Sequence, residues 1–237
     1  FEARGLFYGI QTLCQITENH EEIPELSIID WPDIEKRCMY LDLRQIFPTF
    51  ENLLTYIDEM AGFKANALII EYEDRFPFEK YKFLRHKEYA LTEAQLSEIM
   101  ERAGRNFIEV IPLQQSFGHL EYVLKHAAFK ELRETASDIG ELCPSRPEAF
   151  ELAKTLLEEM LQRHSESQYI HLGCDEVWSL CKCEICRRLN EGSRGKAFIG
   201  YINRLVEFVC SKGKIPVIWH DMLLKCSDEE LSKMDKR

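Results

Sequence analysis

Short apolar runs alternate with amphipathic stretches along most of this chain, and this alternation restricts the possible folds more than any other feature. The apolar runs are brief and rich in β-branched and aromatic residues, as expected for strands that are covered on both faces. They span residues 38–43, 67–72, 107–113, 169–173 and 215–220. The stretches between them place apolar residues at helical spacing. A βαβα order of this kind predicts an α/β fold with a parallel sheet.

A polar or aromatic cluster follows each predicted strand, and this favours a closed barrel over an open sheet. A dinucleotide-binding sheet needs a glycine-rich turn after its first strand, and "LDLRQIFP" contains no glycine. In a (β/α)₈ TIM barrel, by contrast, the chemistry lies where the strands end. Because five βα units are countable and a barrel needs eight, we expect roughly the first five units of such a barrel.

The segment before the first predicted strand has a different character. Residues 1–34 contain the helical pattern "ARGLFYGIQTLCQI" followed by a linker that includes "IIDWPD". We interpret these residues as a lead-in helix and linker from an upstream domain. Residues 35–237 are then the N-terminal part of the catalytic barrel.

The net charge indicates the chemical class of the ligand, and the cysteine content indicates the cellular compartment. The net charge is −11 and the pI is near 5.2, which disfavours nucleic acid and suits a neutral small molecule or a sugar. No apolar run is long enough to cross a bilayer, so no membrane partner is expected. Nine scattered cysteines in a chain of this length indicate free thiols in a reducing compartment, which predicts a cytoplasmic location.

Two adjacent carboxylates, Asp175 and Glu176, follow the fourth predicted strand in "YIHLGCDEVW". Consecutive side chains at a strand end point in different directions. The two acids therefore cannot easily flank a glycosidic bond as an acid and nucleophile about 5 Å apart. One acid would transfer protons, and the other would act nearby on a substrate that supplies its own nucleophile, such as a 2-acetamido oxygen.

The motifs around this pair resemble those of a known enzyme family. "HLGCDEVW" is similar to the His-x-Gly-x-Asp-Glu signature of the glycoside hydrolase family 20 β-N-acetylhexosaminidases, and "ARGLFYGIQTL" resembles the helix that leads into their barrel. The blocks "LIIEYEDRFPFE", "EVIPLQQSFGHLEYVLKH" and "VIWHDML" are closer to the hexosaminidase D-like subgroup. The resemblance implies a TIM-barrel hydrolase that removes terminal N-acetylglucosamine or N-acetylgalactosamine with retention of configuration and without a cofactor.

The resemblance also implies roles for individual residues. Glu176 would be the general acid/base, and Asp175 would position the acetamido group that forms an oxazolinium intermediate. Arg44 approximately matches an arginine that grips the outer hydroxyls of the sugar, although an ordinary salt bridge is an equal alternative. His119 and His171 match histidines near the acid and would orient it.

Further residues near the predicted strand ends have open interpretations. Trp219 would stack on a sugar face or pack in the core, and Asp221 lies at the same strand end. Glu71 and Asp74 would contact substrate or form a structural ion-pair network. Two other functions stay open: a non-catalytic sugar-binding barrel, and a classical retaining glycosidase in which Asp221 or Glu73 is the nucleophile.

Three cysteines in "CKCEIC" lie shortly after the acid pair. Cys181, Cys183 and Cys186 have a spacing that would supply three corners of a tetrahedral Zn²⁺ site, with Cys174 or a histidine as the fourth. The alternative is a set of reduced thiols at the start of a helix. Such a metal would brace the loop and take no part in hydrolysis.

Overall fold

Five strands form the sheet in this computed structural model, which describes residues 2–19, 22–23, 25–44, 46 and 48–237. The strands lie in the sheet in chain order, and β3–β4 and β4–β5 pair in parallel. This confirms the α/β class predicted from the alternating pattern. Their bounds are β1 Cys38–Asp42, β2 Ala67–Glu71, β3 Glu109–Leu113, β4 Tyr169–His171 and β5 Ile215–Val217.

Helices precede and separate the strands as the pattern predicts. They are α1 Ala3–Asn19, α2 Phe50–Gly62, α3 Glu93–Arg105, α4 Glu121–Leu124, α5 Pro147–Arg163, α6 Glu184–Leu189, α7 Arg194–Ser211 and α8 Asp228–Leu231. Within the described residues, none of these helices is both long enough and apolar enough to span a membrane.

Local sequence signals explain several helix starts. Thr92 and Gln95 form a reciprocal capping box at the start of α3, so two backbone N–H groups that the helix itself leaves without partners are satisfied. Pro147 occupies the first turn of α5, where its missing N–H costs nothing. Ser193 caps α7 by accepting a hydrogen bond from the Lys196 amide.

All five strands are shorter than predicted, and for β3 and β4 the reason is a change of backbone conformation at one end. Phe107 has a φ of 56°, so β3 begins two residues after it. Gly173 and Cys174 also have positive φ values, and β4 ends at His171 before them. Extended pairing cannot continue through left-handed residues. β5 stops at Val217, ahead of Trp219, whose N–H instead donates to the Gly173 carbonyl.

The chain divides into two compact units. The first comprises Phe1–Ile70 and Leu91–Val110, and the second comprises Glu71–Ala90 and Ile111–Arg237. In the first unit, α2 and α3 pack through buried residues that include Ile57 and Ile99. In the second unit, α5 and α7 contribute many of the buried apolar side chains, and Phe117 packs against Phe198 and Tyr201. All the residues that build the acid-pair environment described below belong to the second unit.

A histidine is completely buried in the second unit. His164 Nδ1 lies 3.0 Å from the Met160 carbonyl, and Nε2 lies 2.9 Å from the Tyr72 hydroxyl. The carbonyl only accepts, so Nδ1 carries the proton and Nε2 accepts from the tyrosine. Burial lowers the pKa of His164 to about 4, and its neutral form is therefore the folded form at neutral pH.

We expect the free energy of unfolding to fall as the pH drops from 6.5 to 4. The unfolded chain binds a proton at His164 near pH 6.5, whereas the folded chain binds it only near pH 4. The lost stability should be about 3 kcal/mol for this residue. Urea unfolding of the intact protein across this range measures the slope, which should be smaller in His164→Gln. Ser165→Ala, at the exposed and non-titratable position next to His164, is the control and should keep the wild-type slope. Equal slopes in all three proteins would contradict the assignment.

Candidate active site

The acid pair lies on an irregular segment directly after β4, and the backbone there is unusual. Gly173, Cys174 and Glu176 have φ values of 67°, 72° and 51°. For a residue with a side chain, such a conformation costs roughly 1–3 kcal/mol and persists only where surrounding contacts hold it. These left-handed residues lie on either side of Asp175. The segment therefore orients the carboxylates by backbone conformation as well as by side-chain contacts.

His119 joins the two carboxylates. Its Nε2 atom lies 3.3 Å from Asp175 Oδ2 and 3.4 Å from Glu176 Oε2. His119 also has a positive φ, 50°, and follows Gly118, where a Cβ would lie 2.7 Å from the Asp175 carbonyl oxygen. Close approach of this loop to the acid pair therefore requires a glycine at 118. The structure brings three of the predicted site residues together.

The two carboxylates occupy different environments. Asp175 is mostly buried, with 21% of its side chain exposed, while 56% of the Glu176 side chain is exposed. Burial acts to raise the pKa of Asp175, but hydrogen bonds and charge from His119 and a hydrogen bond from Gln115 outweigh it and lower the pKa. Asp175 is therefore ionised at neutral pH, and Glu176 is the acid that is open to a ligand.

Gln115 anchors Asp175 from the buried side, and the sequence interpretation did not assign it a role. Its Nε2 donates to Asp175 Oδ1 at 3.2 Å and to Glu71 Oε1 at 3.0 Å, and its Oε1 accepts from the Cys174 amide at 3.3 Å. A Cβ at Gly173 would lie 1.9 Å from that same Oε1. Glycine is required there for space and for its positive φ. The sequence signal was the polar "QQ" directly after a buried strand.

The His171 and Trp219 rings pack against each other close to Asp175. His171 is buried, its Nδ1 accepts a hydrogen bond from the Gly173 amide at 3.0 Å, and its ring lies 4.4 Å from that of Trp219. Burial lowers the pKa of His171 to about 4, although Asp175 opposes the shift, so the ring is neutral at pH 7. His171 therefore supports the turn, while Trp219 remains partly exposed.

Asp221 contacts the acid pair through the backbone. Its Oδ2 accepts a hydrogen bond from the Glu176 amide at 3.1 Å. Its Oδ1 is buried and has no hydrogen-bond partner among the described residues. This position lets Asp221 hold the left-handed conformation of Glu176.

The other predicted residues have their own surroundings. Arg44, in the first unit, pairs with Asp42 at 2.9 Å from Nε and 2.7 Å from Nη2, so the ordinary salt bridge that was the alternative interpretation is present. Contact of Arg44 with substrate stays a prediction. Glu71 is buried and reaches Asp175 through Gln115, while the Asp74 carbonyl accepts from the His86 amide. Glu73 lies in a short 3₁₀ turn.

The segment after Glu176 is held by a second buried carboxylate. Glu141 accepts hydrogen bonds from the Trp178 amide at 2.5 Å and from the Ser179 amide at 2.7 and 2.8 Å. Arg194 Nη2 also donates to the Val177 carbonyl at 3.0 Å. The loop that presents the acid pair is therefore fixed by side chains on both sides: Gln115 before the pair and Glu141 after it.

The predicted cysteine trio lies close to a fourth cysteine, but not to Cys174. Cys174 is buried and its thiol donates to the Leu172 carbonyl. Cys143, from a separate segment, lies beside Cys183 instead, and together with Glu134 and Cys186 it forms a group whose ligand atoms all lie within 4.8 Å of one another. Local spacing pointed to the trio, but only the fold brings Cys143 to it.

The chain is similar to one protein family over most of its length. The family model described as glycosyl hydrolase family 20, catalytic domain, matches residues 35–235. The chain is 36% identical over 203 residues to hexosaminidase D of Homo sapiens, covering 84% of this chain and 42% of that protein. It is 32% identical over 201 residues to hexosaminidase D of Bos taurus, covering 83% of this chain and 58% of that protein. The chain thus spans about half the length of these relatives.

Solved structures share the fold. A β-N-acetylhexosaminidase from Bacteroides fragilis superimposes with a TM-score of 0.77 at 23% identity, covering 92% of this chain and 49% of that one. An exo-β-N-acetylglucosaminidase from Vibrio harveyi, solved in complex with N-acetylglucosamine, superimposes with a TM-score of 0.71 at 20% identity, covering 91% and 40%. The five-stranded sheet is therefore part of a TIM-barrel catalytic domain, as the alternation predicted.

Proposed function

The chain belongs to glycosyl hydrolase family 20, and on this basis we propose that the intact protein is a retaining exo-β-N-acetylhexosaminidase. It removes terminal N-acetylglucosamine or N-acetylgalactosamine from oligosaccharides and glycoconjugates. The observation that carries this proposal is the contact of one histidine, His119, with two adjacent carboxylates in unlike environments. The names of the matched relatives support the same reaction class.

In the proposed reaction, Glu176 and the substrate share the chemistry. Glu176 donates its proton to the glycosidic oxygen, and the bond between that oxygen and the anomeric carbon breaks. The carbonyl oxygen of the 2-acetamido group attacks the same carbon and forms a cyclic oxazolinium ion. The Glu176 carboxylate then removes a proton from water, which attacks the anomeric carbon from the face the leaving group vacated. The bond between that carbon and the acetamido oxygen breaks, and the acetamido group is restored. Two inversions give net retention.

Asp175 stabilises the charge that this cyclisation creates. The amide nitrogen becomes positive as its carbonyl oxygen attacks, and an ionised carboxylate is suited to accept its N–H and balance that charge. His119 and Gln115 hold Asp175 in its ionised form, as the lowered pKa of this carboxyl shows.

Several further residues are proposed to contact the sugar. The partly exposed Trp219 would stack on the apolar face of the sugar, and Asp221 would accept a hydrogen bond from a sugar hydroxyl. Arg44 would grip outer hydroxyls while retaining its contact with Asp42. His171 would act indirectly by supporting the turn at Gly173. Asp221 contacts the backbone of the acid itself, so its position favours this role over that of a nucleophile across the pocket.

The proposal also covers the cofactor requirement and the location of the protein. The reaction needs no cofactor because the substrate supplies the nucleophile and Glu176 supplies the proton. All nine cysteines are free thiols in the structure, which supports the cytoplasmic location expected from the sequence.

Substrates that differ only at the 2-acyl group test the mechanism. The hydrolysis rate of β-N-acetylglucosaminides by the intact protein should fall with each fluorine placed on the acetyl methyl, because fluorine withdraws electrons from the attacking carbonyl oxygen while adding little bulk. The measurement is kcat/KM across the acetyl, monofluoro-, difluoro- and trifluoroacetyl series. The matching 2-hydroxy glucoside is the control and should be cleaved far more slowly. Equal rates for the 2-hydroxy and 2-acetamido substrates, with no effect of fluorine, would require a protein nucleophile.

A further inference from the structure

Four cysteines from two separate segments converge beside the loop that carries the acid pair. Cys181, Cys183 and Cys186 lie at the start of α6, and the Cys183 side chain caps that helix by accepting from the Cys186 amide. Cys143 follows an isolated antiparallel bridge between Arg133 and Leu142, and its amide donates to the Leu132 carbonyl. The backbone hydrogen bonds around both segments therefore fix where the sulfur atoms lie.

Two pairs of these sulfur atoms lie at separations close to those of a tetrahedral metal site. Cys143 Sγ lies 3.5 Å from Cys183 Sγ, and Cys181 Sγ lies 3.6 Å from Cys186 Sγ. Cys143 and Cys186 Sγ lie within 4.8 Å of each other. With zinc–sulfur bonds of about 2.3 Å, two ligands on a tetrahedral ion are separated by about 3.8 Å. Each of the two contacting pairs is slightly closer than this value, and Cys143 and Cys186 connect the two pairs, so side-chain rotation would place all four sulfur atoms around one ion.

A buried carboxylate adds to the negative charge of this site. Glu134 is 2% exposed, its Oε1 accepts from the Cys183 amide at 2.8 Å, and its Oε2 lies 3.5 Å from the Cys183 thiol. The Cys183 amide therefore holds this carboxylate in place beside the sulfur atoms.

We propose that Cys143, Cys181, Cys183 and Cys186 bind one structural Zn²⁺ ion, with Glu134 held beside it by the Cys183 amide. Four thiolates favour zinc over magnesium or calcium, which prefer oxygen ligands, and a closed tetrahedral set leaves no position for substrate. Each thiol releases its proton as its sulfur binds the metal. The site is therefore structural and takes no part in the hydrolysis proposed above.

The metal would join the segment that carries Glu134, Glu141 and Cys143 to the start of α6. Glu141 in turn holds the amides of Trp178 and Ser179, directly after the acid pair. Zinc binding would thus brace the loop that presents the pair. The competing arrangement is oxidation of the same neighbouring thiols to disulfides, Cys143–Cys183 or Cys181–Cys186.

Metal content decides between these arrangements. The intact protein, expressed with zinc and purified without chelators under mild reducing conditions, should contain about one zinc ion per chain by mass spectrometry of the metals. Cys143→Ser and Cys186→Ser should lose most of this zinc. Cys210→Ser, which removes a thiol on α7 outside the group, is the matched control and should retain it.

Cobalt substitution of the wild-type protein gives a readout that does not depend on the variants folding. Co²⁺ replacing zinc should produce the intense visible absorption of a tetrahedral ion together with sulfur-to-metal charge-transfer bands. Folded wild-type protein that contains no zinc and yields an octahedral cobalt spectrum would overturn the proposal, as would disulfide-linked peptides from these cysteines or iron in place of zinc. None of these outcomes depends on glycosidase activity.

Discussion

Replacing Glu176 with glutamine is expected to slow hydrolysis of a β-linked N-acetylglucosamine disaccharide by roughly 10²–10⁴-fold. Glutamine keeps the size of the side chain but cannot donate a proton to the departing sugar oxygen. The loss should be much smaller for an aryl glycoside whose phenol is strongly acidic, because that leaving group needs little protonation. Comparison of kcat for the two substrates therefore isolates general acid catalysis from effects on binding.

Glu131→Gln is the matched control, since this glutamate is 79% exposed and its nearest basic partner is Lys130 at 3.7 Å. It should retain wild-type rates on both substrates. A Glu176→Gln enzyme that cleaved the disaccharide at the wild-type rate would remove Glu176 from the acid role. Equal losses on the disaccharide and on the activated aryl glycoside would do the same, because they would show that the carboxyl acts without transferring a proton.

Asp175→Asn is expected to lower kcat by about 10²–10³-fold with a smaller change in KM. Asparagine can still accept an N–H from the acetamido group, but it brings no negative charge against the positive charge of the oxazolinium ion. The variant should therefore lose affinity for a thiazoline analogue of that cyclic ion much more than for the product N-acetylglucosamine. Inhibition constants for both ligands, measured on the same enzyme preparation, give this comparison.

The product serves as the control for damage to the pocket. If Asp175→Asn weakened product and thiazoline equally, Asp175 would be a residue that shapes the site rather than one that stabilises charge. An unchanged kcat would exclude both roles. His119 and Gln115 contact Asp175 directly, so the substitution could also disturb the packing around the acid pair. Near-ultraviolet circular dichroism, to which Trp219 beside His171 contributes, should give the same spectrum for the variant and the wild-type protein.

The helices and the existence of all five strands were predictable because their signals are local. Apolar spacing marks the buried faces, and Thr92 with Gln95 marks a helix start that the structure confirms. The central strands β2 and β3 are nearly all buried, as the unbroken apolar runs indicated. The ends of β3 and β4 were not predictable, because left-handed backbone at Phe107 and Cys174 is not encoded by a residue type that prefers it.

The acid pair was predictable from its place after an apolar run, but its supporting contacts were not. Gln115 and Asp175 are 60 positions apart, and Cys143 and Cys183 are 40 apart. Such pairs form only when the sheet and its loops are assembled, so no local pattern identifies them. For Arg44, the sequence alone allowed two interpretations, a contact with the sugar and an ordinary salt bridge. The observed pairing of Arg44 with Asp42 is compatible with each.

Hydrogen bonds hold the loop of the acid pair on both sides in the absence of a ligand. Gln115 accepts from the Cys174 amide before the pair, and Glu141 accepts from the Trp178 and Ser179 amides after it. The conformational entropy of this segment is therefore lost when the protein folds and not when it binds sugar. A ligand that enters the pocket does not have to order the loop, so its interaction energy is not spent on that task. The free-energy cost is carried instead by the stability of the folded protein, in which residues with left-handed backbone form the turn.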